Sequence, residues 1–361
     1  MVLTRKRLRE LGKSIGKYKT GEYNSITDVE GVKVGHCTLR EDRDDTTIRT
    51  GVTAILPHSG NLFREKVFAS SHVINGFGKT AGTIQINELG LLESPIMLTN
   101  TLSVGDVLQG TVQYMLEKTP EIGDTAGTVN AVVGECNDGY LNDIRGLHVG
   151  REHVKKAIES AKSGVVEEGC VGAGTGMLCL GFKGGVGTSS RIHLFGQEKY
   201  TVGALVVTNF GQRKDLRIPT VSDETSEKQL PDGSIMIILA TDAPLNDRQL
   251  ERLAKRASFG LSRTGSYATH GSGDIVISFS TAHKVPHQPS TNENTMSYNF
   301  LREDGKYISQ LFEMTVDTVE EAIWNSLCKA ETITGRKGRT VEAFPYELLD
   351  DWNFFNEVRK K

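Results

Sequence analysis

GQRKDLRIPTVSDETSEKQLPDG, Gly211 to Gly233, runs without a break into Ser234 and then into IMIIL, Ile235 to Leu239. The first stretch holds few large apolar side chains and two prolines, so it reads as a surface loop between two buried strands. The second is pure core. A serine standing where an exposed loop becomes a buried strand is well placed for self-processing. Its hydroxyl can attack the Gly233 carbonyl, exchange the amide for an ester, and let water release the loop. Gly233 has no side chain to block that approach and tolerates a strained backbone. Cleavage leaves Ser234 with a free α-amine of pKa about 8, suited to act as general base or proton shuttle at neutral pH. By itself a Gly-Ser dipeptide is also an ordinary turn, so the reading depends on its surroundings.

Outward from that junction, apolar runs with β-branched residues predict strands at Gly51–Leu56, Gly82–Ile86, Ile96–Thr99, Val202–Thr208, Ile235–Leu239 and Ile275–Phe279. Period-3.6 patterns predict helices between some of them. One spans Val104 to Lys118, with Val104, Val107, Leu108, Val112 and Leu116 on one face and Pro120 closing it. A second uses Val154, Ala157, Ile158 and Ala161, with Gly164 where a C-terminal cap belongs. A third follows Pro244, capped by Asn246 or Asp247, with Leu250, Leu253, Ala254, Ala257 and Leu261 inward. The last, around Ile308 to Lys329, presents Leu311, Val316, Val319, Ile323 and Leu327. Strands and helices mix along the whole chain without clean alternation.

The 361 residues carry 42 basic and 45 acidic side chains, a near-balance that gives no electrostatic case for nucleic acid or an anionic membrane as partner. No run approaches the roughly 18 apolar residues of a membrane span. Met1 to Lys19 is basic and lacks the apolar core of a secretory signal, so it reads as a solvated arm. Cys37, Cys136, Cys170, Cys179 and Cys328 are odd in number and form no C-x-x-C pair. That argues against a disulfide framework or structural zinc, and for reduced thiols in a cytoplasmic protein. The nine histidines do not pair at ligand spacing, so no metal or other cofactor is expected. The glycine-rich stretch Gly172–Arg191 lacks the Gly-Lys-Ser/Thr ending of a phosphate loop, which leaves close packing near a site as its reading.

Several further segments carry the chemistry: NSITDVEGVKVGHCTL (Asn24–Leu39), VVGECNDGYLNDIRG (Val132–Gly146), GAGTGM with GFKGGVGTSSR (Gly172–Arg191) and LVVTNFG (Leu205–Gly211). They continue with PDGSIMIILATDAPL (Pro231–Leu245), RTGSYATHGSGDIVISFST (Arg263–Thr281) and AETITGRKGRT (Ala330–Thr340). In these segments the chain resembles the family of L-aminopeptidase/D-amidase/D-esterases and β-peptidyl aminopeptidases, in the family's order and over nearly its whole length. The resemblance implies an α-β-β-α sandwich of the N-terminal-nucleophile type. It also implies one peptidase domain over 1–361, cleaved between Gly233 and Ser234 into 1–233 and 234–361.

It further implies Ser234 as nucleophile, with Ser272 and Asp274 of HGSGD relaying its proton. Ser and Asp two apart on a strand face the same way, and a hydroxyl bridging a carboxylate to Ser234 is chemically sensible. Asn209 in TNFG matches the oxyanion-stabilising amide, and Tyr140 is a second donor. Glu135 matches the group that pairs with the substrate's ammonium, which a partly buried cation requires. Asp138 and Asp143 read as solvated or turn-forming, and His270 is given little weight.

The expected substrates are small peptides, amides or esters with a free amino group. The family implies a homo-oligomer of processed heterodimers. Two other readings stay open: a glutamate N-acetyltransferase-like acyl transferase, whose family uses threonine as nucleophile, and an uncleaved scaffold without catalysis.

Overall fold

The computed structural model describes residues 5–43, 45–217, 233–288 and 294–350. Its first strands are β1 (Lys33–Arg43), β2 (Thr46–Leu56), β3 (Glu65–Gly76), β4 (Leu91–Leu92), β5 (Ile96–Asn100) and β6 (Val132–Cys136). The short β7 (Leu178–Cys179) and β8 (Phe182–Lys183) precede β9 (Gly185–Phe195), β10 (Glu198–Asn209), β11 (Ser234–Thr241) and β12 (Gly273–Pro286). A last hairpin joins β13 (Ile333–Thr334) to β14 (Thr340–Val341). The helices are α1 (Thr83–Leu89), α2 (Val104–Lys118), α3 (Arg151–Glu159), α4 (Asp247–Thr264) and α5 (Lys306–Lys329).

Two sheets dominate. One has the order β1-β2-β5-β6 and the other β4-β3-β12-β11-β10-β9. β11 runs parallel to β12 and antiparallel to β10, so Ser234 at its start faces Gly273 on one side and Asn209 on the other.

The two-residue period of β11 explains the layering. Ile235, Ile237 and Leu239 pack with Ala254, Ala257 and Leu261 of α4 and Val319, Ile323 and Leu327 of α5. Met236, Ile238 and Ala240 point the other way, joining Val34, Ile55, Leu98 and Val132 of the second sheet. The outer face of that second sheet buries Val52, Ala54, Met97 and Val133 against Val107 of α2 and Val154, Ala157 and Ile158 of α3. A strand buried on both faces reads as a continuous apolar run, as Ile235–Leu239 does. The layers are helix, sheet, sheet, helix, as expected.

The four long predicted helices are present, and α4 is capped by Asn246. Its Oδ1 accepts from the Gln249 amide at 2.9 Å while Gln249 Oε1 accepts from the Asn246 amide at 3.0 Å. Four expectations need correction. Gly82–Ile86 is not a strand: Gly82 stands at φ +85°, and α1 starts immediately after it. Only Ile86 of α1 is buried, so a run rich in isoleucine was mistaken for core. On α2 the buried face is Val107, Gly110, Thr111 and Met115, which leaves Leu116 exposed. Gly164 does not cap α3, because Ser160 ends that helix.

The N-terminal arm is the fourth correction. Leu8 is fully buried, Arg7 meets Glu168 at 2.7 Å and Arg9 meets Glu321 at 2.8 Å. Its basic residues therefore neutralise buried acids of the body, a pairing that charge density along the chain does not reveal. Of the loop expected over Gly211–Gly233, residues 218–232 lie outside the described residues. No helix among the described residues is long and apolar enough to cross a membrane.

Candidate active site

The site forms where β10, β11 and β12 begin or end beside β6. A cleft of 280 Å³ opens there, lined by Phe77, Lys79, Thr101, Glu135, Asn137, Gly233, Ser234 and Gly271. Ser234 is 5% exposed, held in the sheet by its neighbours on both sides. The Gly233 carbonyl accepts from the Gly273 amide at 3.2 Å, so the bond before Ser234 is held and polarised by the neighbouring strand. A Cβ on Gly233 would lie 2.7 Å from Phe210 Cα and 3.0 Å from the Asn209 carbonyl oxygen. Only glycine fits without moving backbone.

Ser272 donates to Asp274 Oδ1 at 2.6 Å, and both residues are buried. Asp274 Oδ2 has no hydrogen-bond partner among the described residues. Burial pushes the Asp274 carboxyl up to about 6, against the downward pull of the Ser272 hydroxyl and the Ile235 amide. An acid so placed changes charge just below neutrality.

Asn209 is held at both ends. Its Oδ1 accepts from the Leu178 amide at 2.9 Å and its Nδ2 donates to the Asn137 carbonyl at 2.9 Å. One N–H of the Nδ2 group remains for another acceptor. The Leu178 amide comes from the glycine-rich stretch, which the fully buried Lys183 ties together. Its Nζ donates to the Gly174, Met177 and Gly184 carbonyls at 3.1, 2.8 and 2.8 Å. Close packing was the right reading of that stretch.

Glu135, 4% exposed, ends β6 with Oε1 accepting from the Lys79 amide at 2.9 Å and Oε2 bound by the Thr101 hydroxyl. Both donors are neutral groups, and no salt bridge reaches Glu135 among the described residues. Tyr140 is half-buried, with the Arg339 guanidinium 4.6 Å from its ring centre, and is not among the residues lining the cleft. His270 is exposed.

Asp138 forms the expected turn, its carbonyl accepting from the Leu141 and Asn142 amides, but its side chain is not solvated. It is fully buried and accepts from Asn142 Nδ2 at 3.0 Å. Burial raises its carboxyl to about 7, opposed by hydrogen bonds from Thr50 and Asn142. The Cys136 thiol beside Ser234 is fully buried, and burial pushes it well above its ordinary value. It stays protonated and is no rival nucleophile.

Phe77, Lys79, Thr101 and Asn137 escaped the sequence reading, whereas Gly271 lies in the HGSGD segment it singled out. A Cβ on Gly273 would lie 2.9 Å from Gly78 Cα, so the 76–79 turn presses directly on HGSGD. Backbone contact of that kind leaves only glycines as a signal, and neither Gly78 nor Gly273 announces its partner.

The model of peptidase family S58 matches residues 24–341. The chain belongs to that family. The β-peptidyl aminopeptidase BapA of Sphingosinicella microcystinivorans is 41% identical over 369 residues, covering 95% of this chain and 90% of the relative. The solved PH0078 protein of Pyrococcus horikoshii OT3 is 50% identical with a TM-score of 0.90, covering 97% of this chain and 99% of that one. The L-aminopeptidase D-Ala-esterase/amidase of Ochrobactrum anthropi, described as a variant of the Ntn hydrolase fold, is 39% identical with a TM-score of 0.88. The match covers 96% of this chain and 99% of that one. Members of the family are peptide-bond hydrolases, and this chain is a serine aminopeptidase with the same α-β-β-α sandwich. Family membership favours hydrolysis over the acetyl-transfer and scaffold readings.

Proposed function

We propose that the chain is one peptidase domain that cuts itself between Gly233 and Ser234 and then uses Ser234 to hydrolyse aminoacyl amides, esters and short peptides. The observation that carries this reading is the Gly233–Ser234 bond lining the cleft, its carbonyl already accepting from the Gly273 amide. Ser234 Oγ attacks the Gly233 carbonyl carbon, the Gly273 amide stabilises the oxygen, and the Ser234 nitrogen leaves with the hydroxyl's proton as the acyl group passes to Oγ. Water then cleaves the ester. It leaves a carboxylate on Gly233 and a free amine on Ser234.

In the processed enzyme the substrate's ammonium pairs with Glu135 and its carbonyl meets Ser234 Oγ. The Ser234 proton passes to the new amine or, through Ser272, to Asp274, then goes to the departing amine or alcohol, and water releases the acyl group from Oγ. The free N–H of Asn209 receives the oxyanion. The family resemblance adds the Tyr140 hydroxyl as a second donor; no cleft-lining contact of Tyr140 supports it, and Tyr140→Phe tests it.

We propose further that the processed halves form heterodimers that assemble into a homo-oligomer, and that the enzyme works in the cytoplasm. Five free cysteines support a reducing compartment. The resemblance supports the assembly.

A denaturing gel and N-terminal sequencing test the processing. The expected result is two fragments of 233 and 128 residues, the second beginning at Ser234. An active preparation with a single intact band overturns it.

A further inference from the structure

Among the described residues that line the cleft, Lys79 is the one cation and Glu135 the one carboxylate. The two are set at different depths: Glu135 is 4% exposed at the end of β6, while Lys79 is exposed on the turn after β3. The Lys79 ammonium is also held in place. Nζ donates to the Phe77 carbonyl at 3.3 Å and stands 4.4 Å from the centre of the Phe77 ring. The turn beneath it is pinned to HGSGD, where the Phe77 amide donates to the Ser272 carbonyl at 3.3 Å and Gly78 abuts Gly273.

No carboxylate is paired with Lys79 by a salt bridge among the described residues. Its charge is thus available at the rim while the Glu135 charge is available inside, with Ser234 in the same cleft.

We infer that Lys79 is a specificity-determining residue that receives the free carboxylate of a short peptide substrate, so that the cleft reads a zwitterion. The inference rests on the reading of Glu135 as the ammonium partner and names the substrate class for that site. A ligand with an ammonium at one end and a carboxylate beyond the scissile bond satisfies both charges. An amide or ester satisfies only one. The cleft volume of 280 Å³ lies just below the ~300–1,000 Å³ range of ligand pockets, which suits a small substrate. Phe77, 53% exposed at the same wall, adds an apolar face alongside the ammonium.

The test compares kcat/KM for one dipeptide as the free acid and as its C-terminal amide, in processed wild type, Lys79→Met and Lys79→Glu. An exposed ion pair is worth little, so the acid-to-amide ratio should fall only about twofold to fivefold in Lys79→Met. In Lys79→Glu it should fall further, to favour the amide. The wild-type ratio should also shrink as salt rises, since an exposed pair is screened. A ratio unchanged in both variants, or a loss equal on acid and amide, overturns the inference. Glu135→Gln separates the two readings: it should depress acid and amide together. If Glu135→Gln spares both substrates, the ammonium assignment fails, whatever Lys79 does.

Discussion

Two buried carboxylates, Asp274 on β12 beside the start of β11 and Glu321 on α5, differ in how many donors reach them. Glu321 is fully buried but meets Arg191 at 2.6 Å, Arg9 at 2.8 Å and Asn24 at 2.6 Å. Although burial raises it, those cations hold its carboxyl below the ordinary value. Asp274 accepts from the Ser272 hydroxyl but meets no cation among the described residues, and burial carries it to about 6. The signs for stability are opposite. Ionised Glu321 stabilises the fold above the ordinary carboxyl range, and that contribution is lost as pH falls through its lowered value. For Asp274 the fold favours the protonated acid, so its contribution is present below pH 3.8 and lost as pH rises through about 6. A saturated acid is scaffold; one left short of donors is available for proton transfer.

The comparison can be broken most completely at Ser234. Ser234→Ala should abolish both self-cleavage and hydrolysis while leaving the melting temperature nearly unchanged, as read by gel, activity and thermal unfolding. Fragment formation in that variant removes Ser234 from the chemistry. Glu321→Gln should do the reverse, costing about 3–5 kcal/mol in denaturant unfolding because Arg191 is left buried and unpaired. A loss under 1 kcal/mol would mean that the cluster is no scaffold.

Asn209→Ala should lower kcat about 100- to 1,000-fold, the usual effect of losing one oxyanion donor, with little change in KM. A change confined to KM contradicts that role.

The pH profile sharpens the contrast further. If the Asp274 carboxylate must accept the relayed proton, kcat/KM falls about tenfold per unit below pH 6, and Asp274→Asn removes that limb along with most activity. An acid limb in the active wild type well below pH 5 refutes the assignment. The smallest effect belongs to an exposed pair, Lys155 with Glu117 at 3.0 Å, whose side chains are 49% and 43% exposed. Lys155→Ala should leave the denaturant midpoint of unfolding essentially unchanged, because solvent and salt screen the pair.

Much of this was legible along the chain. Ile235–Leu239 announced a strand buried on both faces, and the amphipathic periods announced α2 to α5. Ser272 and Asp274 are close in sequence, so their hydrogen bond follows from their spacing at the entry of β12. Glu135 and Asn209, 74 positions apart, came only through the family resemblance, because nothing local in either segment specifies the other. For Asp138 an acid followed by glycine announces the turn but not the burial of its side chain. The residue does make the turn, yet its side chain points inward to Asn142.

Local chemistry determines what needs only neighbours: strand and helix periods, the Asn246 cap, and a serine at the entry of a buried strand. Tertiary structure alone decides which ends meet. Parallel pairing of β11 with β12 sets Gly273 against the Gly233 carbonyl, and stacking of the second sheet brings Glu135 to the same cleft. Burial, and with it the titration of Asp274, belongs to that packing, since a carboxyl's proton affinity depends on what surrounds it in space.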